Sequence, residues 1–342
     1  IQGIGDLIIN LPIILKKAEQ EFVNLTLVVS NNGASEILKN LISKNKINII
    51  EWNEKHSAIH NIYYIYKTLY NKKFNYAYSL YPSGKRENTL LRLTNSIEKN
   101  IFLIPRGYFK LFQFLNSKHK FTNNYEKHCL EINSEMLDIS FKSKPRLIKN
   151  FDTKNYYNIG FHIGAGNNDR AWSLKNFIKL INKLSTSYNL NIVIYAGKNE
   201  EEISRELVKK INCKAKLSIN LGFEELFKDI PKLDFYIGND SGFSHLCSFL
   251  DVKTIIIWAY ANFYKTSPYN KNNLIIKYND LCHKDYNLTS KKNKVCKCNN
   301  LIKPEYVELI FDKFIHDEKY ESLNFLEKIE ILNSKSKVLF VK

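Results

Sequence analysis

The segment Ile237-Gly238-Asn239-Asp240-Ser241-Gly242-Phe243-Ser244-His245 packs more side chains able to bind or react than any other stretch of the chain. It follows an apolar run, Phe235–Gly238, and precedes an amphipathic one, Phe243–Leu250, so it reads as a strand-to-helix turn. Amide groups at a helix start, beside residues small enough to admit close approach, make a phosphate site. Asp240 or Ser241 would cap that helix, and His245 would lie one turn in, on the same face. A plain N-cap with a core histidine has the same spacing.

Three further segments carry chemistry of the same kind. His162-Ile163-Gly164-Ala165-Gly166-Asn167-Asn168-Asp169-Arg170-Ala171-Trp172-Ser173 opens with a strand end and a loop freed by Gly164 and Gly166. Arg170 there could present a fixed cation to a departing pyrophosphate, while Trp172 reads as packing. Glu200 follows the run Asn191–Ala196 and the turn Gly197-Lys198-Asn199, an acid at a helix start that is commonly structural and can also hold ribose hydroxyls. Gly3-Ile4-Gly5-Asp6 reads as a tight turn with Asp6 at a helix start. It is no dinucleotide fingerprint, because Ile8 occupies the third glycine position. Cys282, Cys296 and Cys298, with His283, match structural-zinc spacing poorly, so no metal is expected, and Cys213 and Cys247 read as small apolar side chains.

These turns need a scaffold, and the sequence supplies one. Apolar, β-branched runs recur at Leu25–Ser30, Ile47–Glu51, Tyr76–Leu80, Ile101–Ile104, Asn158–Ile163, Asn191–Ala196, Phe235–Gly238 and Thr254–Ala259. Strands apolar on both faces belong in parallel sheets covered by helices. Stretches of helical period lie between them: Leu7–Glu21, Ala34–Asn45, Leu174–Tyr188, Glu200–Lys210 and Phe223–Ile230. The alternation predicts doubly wound α/β structure, twice. A polar, basic stretch at Ser143–Tyr156 interrupts it, dividing the chain into residues 1–150 and 151–342. Beyond Tyr260 the chain reads as a basic loop, with nine Lys between Lys265 and Lys303, before helical period resumes at Pro304–His316.

Composition narrows the class. At 342 residues and 44% hydrophobic, with 21 Tyr and 21 Phe, the chain can bury about two cores, and a disordered or disulfide scaffold is excluded. Six thinly spread Cys point to a reducing compartment. No apolar run is long enough to span a bilayer. Ile1-Gln2-Gly3 has neither an initiating Met nor the order of a signal peptide, so the start is expected to be trimmed. A net charge of +17 would attract nucleic acid, anionic headgroups or phosphorylated sugars, although the abundance of Asn, Lys and Ile is also what an AT-rich genome produces.

In series, Gly3-Ile4-Gly5-Asp6 with Leu11-Pro12, Phe74–Leu80 with Ser83-Gly84-Lys85-Arg86, Gly164 through Trp172, Ala196-Gly197 with Glu200, and Asn239-Asp240-Ser241-Gly242 with His245 resemble glycosyltransferase family 9, the bacterial heptosyltransferases. The resemblance implies a GT-B fold: two Rossmann-like doubly wound parallel-sheet domains facing across a cleft. It implies that the amino-terminal domain binds the acceptor and the carboxyl-terminal one the nucleotide-sugar, with a last helix that packs back on the first. Asp6 would be the catalytic base and Arg170 the catalytic cation, in place of the family's usual Lys. Gly164, Glu200, Asp240, Ser241, Gly242 and His245 would bind donor; Gly5, Lys85 and Arg86 would bind acceptor. The family's Lys-x-Trp-Pro reads Arg170-Ala171-Trp172-Ser173 here.

The reaction so implied is an inverting transfer, without metal or other cofactor, from a nucleotide-sugar that is expected to be ADP-linked, to an anionic lipopolysaccharide core in the cytoplasm. The chain holds no Asp-x-Asp pair of the sort used to bind a cation. The Lys265–Lys303 stretch could approach anionic lipid at the inner membrane. Other readings are a relative that glycosylates protein, a basic nucleic-acid-binding protein and a Rossmann dehydrogenase. The scattered charge and the lack of an aromatic-glycine RNA motif argue against nucleic acid as a partner, and the incomplete glycine fingerprint against the dehydrogenase.

Overall fold

The computed structural model describes residues 3–20, 23–30, 33–42, 47–80, 85–101, 127–140, 155–167, 170–259, 262–270, 273–278, 298–316, 319–320, 322–323, 326–331 and 337–341. The chain divides into two units, Ile1–Lys142 and Ser143–Lys342.

In the first unit, helix α1 (Ile4–Glu19) is buried nearly all round along Leu7–Leu11 and again at Ile13, Ile14 and Ala18, as an almost wholly apolar helix must be. It starts one turn earlier than the apolar pattern predicts, because Gly3 adopts the extended backbone of an N-cap (φ −123°, ψ 160°) and leaves Gly5 and Asp6 inside the first turn. Strand β1 (Leu25–Ser30) leads through α2 (Ala34–Leu41) to a parallel neighbour, β2 (Ile47–Trp52). Helix α3 (Ala58–Leu69) follows, capped by Ser57 Oγ accepting from the His60 amide at 3.2 Å. The second parallel pair is β3 (Phe74–Ser79) with β4 (Ser96–Ile101), joined by α4 (Lys85–Leu93). β1 and β3 both line a cavity of about 980 Å³, so the two strand pairs flank a space and do not hydrogen-bond to each other. Helix α5 (Cys129–Met136) packs on α1, where buried Asn133 Nδ2 donates to Asn10 Oδ1 at 2.8 Å.

The second unit is one sheet. Its strands are β5 (Tyr157–His162), β6 (Leu190–Ala196), β7 (Ala215–Ile219), β8 (Phe235–Asn239), β9 (Lys253–Trp258), β10 (Asn273–Tyr278), β11 (Leu326–Ile331) and β12 (Lys337–Val341), in the order β11-β12-β10-β9-β8-β5-β6-β7. Among the described strands only β11 runs antiparallel to its neighbour. The helices are α6 (Leu174–Ser187), α7 (Glu201–Lys210), α8 (Phe223–Asp229), α9 (Gly242–Phe249), α10 (Phe263–Thr266) and α11 (Pro304–Ile315). Alternate residues of the central strands face opposite ways. Ile255 and Ile257 join the core under α6 and α11, while Ile256 and Trp258 pack with Phe263, Ile275 and Val338 on the other face.

Several expectations are corrected. The stretch after Lys265 is not loop throughout: it contains β10, whose Lys277 is fully buried and donates from Nζ to Ala259 O at 3.1 Å. α3, α4, α5, β7, β11 and β12 were not legible as elements. The fourth strand lies at Ser96–Ile101, ahead of the predicted Ile101–Ile104, where 102–104 are outside the described residues. The last described helix, α11, contributes Val307, Ile310 and Phe311 to the core of the second unit.

Candidate functional site

Chain order around β5 places the site. From β5 the sheet grows one way, to β6 and β7; the chain then returns to β8, on the other side of β5, and grows on through β9 and β10. In parallel α/β sheets the crevice outside such a reversal receives ligands, since two successive loops must diverge there. Those two loops are the segment from Ile163 after β5 and the Asp240–Ser241 turn after β8.

One side chain ties them together. Asn239, fully buried at the end of β8, donates from Nδ2 to Ile163 O at 2.8 Å and to Gly164 O at 3.4 Å, and its Oδ1 accepts from the Trp172 amide at 3.0 Å. Trp172 is packing: buried edge-on against Phe177, it donates from Nε1 to Ile302 O at 3.0 Å. Asn239→Ala strands two carbonyls and an amide in the interior, and each unsatisfied group costs about 1–3 kcal/mol. A loss of roughly 3 kcal/mol is expected after partial relaxation, read as a lower denaturant midpoint at unchanged slope.

The Glu200 carboxylate is set down against two glycines. A Cβ on Gly164 would stand 2.9 Å from Oε1 and 2.8 Å from Cγ, and a Cβ on Gly197 would stand 2.7 Å from Oε2. At Gly197 the near atom is the far end of the flexible Glu200 side chain, whereas at Gly164 the His162 ring also stands 2.8 Å away, so a side chain at either place displaces Glu200. Beside them, buried His162 stacks on Phe243, with ring centroids 5.1 Å apart and planes at 11°. Burial pushes its imidazole down to about 4, so the ring is uncharged at neutral pH.

On the other side of the turn, Arg170 Nη1 lies 3.4 Å from Oδ2 of the buried Asp240 carboxylate. Arg170 itself is pinned through its backbone: its carbonyl accepts from Asn299 Nδ2 at 2.9 Å, and its amide donates to Asn167 O at 2.8 Å. Of the two cap candidates, Ser241 caps α9, its Oγ accepting from the Ser244 amide at 3.4 Å. Ser244 Oγ in turn donates to Asn239 O, which fixes the start of α9 to the end of β8. Gly242 is the first residue of α9, and His245 is buried one turn in. The second unit therefore brings Gly164, Glu200, Arg170, Asp240, Ser241, Gly242 and His245 onto neighbouring loops at one sheet edge.

In the first unit, half-buried Asp6 sits at the third helical position of α1. Burial raises its carboxyl above the usual 3.8, against the opposing pull of the Gly3 backbone hydrogen bond. Such a group holds its proton more tightly folded than unfolded, so its ionisation costs stability as pH climbs past the unfolded value. Gly5 lies in the same turn; Lys85 and Arg86 begin α4. Cys282, Cys296 and His283 fall outside the described residues, and Cys298 is buried. Among the described residues no three His, Cys, Asp or Glu converge as a metal set.

Asn239, Asn299, His162 and Phe243 were not singled out from the sequence as parts of the site. Only Asn239 had a signal there, an amide placed where a strand meets a turn.

A mostly parallel sheet with ligand-type loops at its switch point, following a smaller α/β unit, is the GT-B fold, and the family match makes the chain a glycosyltransferase. The chain belongs to glycosyltransferase family 9 (heptosyltransferase), whose profile matches residues 110–296, more than half of its length. It is similar to lipooligosaccharide heptosyltransferase 2 of Campylobacter jejuni subsp. jejuni serotype O:6, 28% identical over 63% of this chain and 70% of that one. The serotype O:2 protein of the same name is 30% identical over 50% of this chain and 54% of its own. In fold it is similar to a family 9 glycosyltransferase from Veillonella parvula, with a TM-score of 0.71, 14% identity and coverage of 92% of this chain and 95% of that one. The E. coli heptosyltransferase WaaC with ADP gives 0.67, 16%, 91% and 97%.

Proposed function

We propose that this protein transfers heptose from an ADP-linked donor to the core of lipooligosaccharide or lipopolysaccharide, in the cytoplasm, with inversion and without a divalent metal. The observation that carries this reading is the gathering of Glu200, Arg170 and the Ser241-capped start of α9 at the switch point of a family 9 chain. The relatives named for lipooligosaccharide support the acceptor class, and WaaC solved with ADP and with ADP-2-deoxy-2-fluoro heptose supports the donor.

In this reading Glu200 accepts hydrogen bonds from ribose hydroxyls, and the glycines beside it let the nucleoside approach the backbone. The acceptor hydroxyl bonds to the anomeric carbon as the bond to the diphosphate oxygen breaks. Its proton passes to the Asp6 carboxylate, and the electron pair leaves on the diphosphate. The charge that grows there is met by the Arg170 guanidinium and the amides at the start of α9. Gly5, Lys85 and Arg86 serve the anionic acceptor.

Arg170→Ala is expected to lower kcat by about 10²–10³-fold, the usual cost of one preorganised charge donor. Arg170→Lys keeps the charge and recovers part of the rate but not a two-point grip. The overall reading is tested by incubating the protein with ADP-, UDP- and GDP-linked sugars and a truncated core acceptor, with and without chelator. Turnover with ADP-heptose, an inverted anomeric configuration by NMR and indifference to chelator are expected. Retention, or a rate that vanishes with chelator, would overturn the mechanism.

A further inference from the structure

Helix α3 is amphipathic in an unusual sense: its outward face is the aromatic one. Asn61, Ile65 and Leu69 are its buried residues, one stripe against Trp52 and Leu90. On the opposite side, Ile59, Tyr63, Tyr66 and Tyr70 recur at steps of four, three and four, which stacks them in a second stripe along the helix. Ile59 is 82% exposed, Tyr63 63% and Tyr70 60%. Tyr66 and Tyr70 touch edge-to-face at 5.3 Å, so the stripe is continuous at its carboxyl end. Single exposed apolar residues need no explanation, but a row of them on one helix face does.

The charges around the stripe indicate what it meets. Between Lys55 and Lys73 the sequence has four lysines, Lys55, Lys67, Lys72 and Lys73, and no Asp or Glu. Lys67 shares the outward side, and all four are exposed. Tyrosine carries an apolar ring and a hydroxyl that remains hydrated, the combination that settles at a headgroup layer. Lysine stems lie along apolar surface while the ammonium reaches lipid phosphates. No described helix is long and apolar enough to cross a membrane, so such a contact lies at the surface.

We propose that α3 is the surface by which this protein rests on an anionic lipid bilayer, Ile59, Tyr63, Tyr66 and Tyr70 entering the headgroup region and the four lysines pairing with lipid phosphate. The sequence offered the Lys265–Lys303 stretch for this contact, of which residues 279–297 lie outside the described residues. α3 joins an apolar row to positive charge, and stable surface anchoring takes both.

The test is co-sedimentation of the full chain with vesicles of phosphatidylcholine alone or mixed with phosphatidylglycerol, at low and high salt. The vesicles contain neither glycolipid nor nucleotide-sugar, so the outcome is independent of heptose transfer. Wild type is expected to pellet with the anionic vesicles at low salt and to be released by high salt. Ile59→Ser/Tyr63→Ser/Tyr70→Ser should weaken binding by roughly a hundredfold, and Lys67→Gln or Lys72→Gln by about fivefold each. All these side chains are exposed, and unchanged circular dichroism verifies the fold. Tyr63→Trp reports directly, through a blue shift of emission on adding anionic vesicles. Wild type left in the supernatant at low salt, or a serine variant that binds like wild type, overturns the proposal. So does a dimer that the serine variant converts to monomer, which would make the occupant a second copy of the chain.

Discussion

Asp6→Asn is expected to lower kcat by about 10³-fold or more while leaving ADP affinity within a factor of two, as fits loss of a general base. The substitution is nearly isosteric. An asparagine carbonyl can still accept the Gly3 hydrogen bond, so the first turn of α1 and the packing of Leu7 and Ile8 behind it are retained. What disappears is the ability to take a proton. In the parent protein the rate should climb with pH through a group titrating above the ordinary carboxylate value of 3.8, because burial favours the protonated form of Asp6. The variant should lose that limb of the profile along with its rate. Calorimetry with ADP separates binding from chemistry, and a variant that turns over at a normal rate would remove Asp6 from the mechanism.

Gly164→Ala is the second substitution with a large expected effect, and it acts on the donor. The added Cβ would stand 2.8 Å from both Glu200 Cγ and His162 Cε1. His162 has little room to retreat, since it is buried and stacked on Phe243, which Tyr195 and Tyr236 crowd at centroid distances of 4.9 and 5.5 Å. The half-buried Glu200 side chain is the one that moves. Displacing a positioning group by about 1 Å can cost on the order of 10²-fold, and that loss should fall on ADP-sugar affinity and kcat/KM. The Asn239 bonds to Ile163 and Gly164 use backbone atoms and persist, so the thermal midpoint should change far less than in Asn239→Ala. Equal losses of stability in the two variants would mean that Gly164 serves packing alone.

The second unit was the more legible in sequence. Its strands β5, β6, β8 and β9 are apolar on both faces and bounded by Gly, Asn and Asp, so their runs stand out within two residues of the observed bounds. The first unit was harder for a reason visible in α3: Ile59, Tyr63 and Tyr70 are exposed opposite the buried Ile65 and Leu69, so apolar residues on both sides blur the contrast by which a helical period is read. β10 was hidden by its composition. Lys277 and Asn273 look solvated until the buried carbonyl of Ala259 and the side chain of Thr254 accommodate them.

What local sequence settled by itself is the helix starts whose caps act within one turn of chain, Ser173 before α6 and Ser241 before α9, where neighbours in sequence are neighbours in space. It also supplied the groups with chemistry, because turns at the carboxyl edge of parallel strands are where Asp, Arg and Glu escape the core. Tertiary structure alone decided their partners. Asn299 reaches Arg170 across 129 residues and Asn239 reaches Ile163 across 76, pairings that depend on strand order in the sheet. No periodicity encodes that order, since it follows from how whole faces bury against one another.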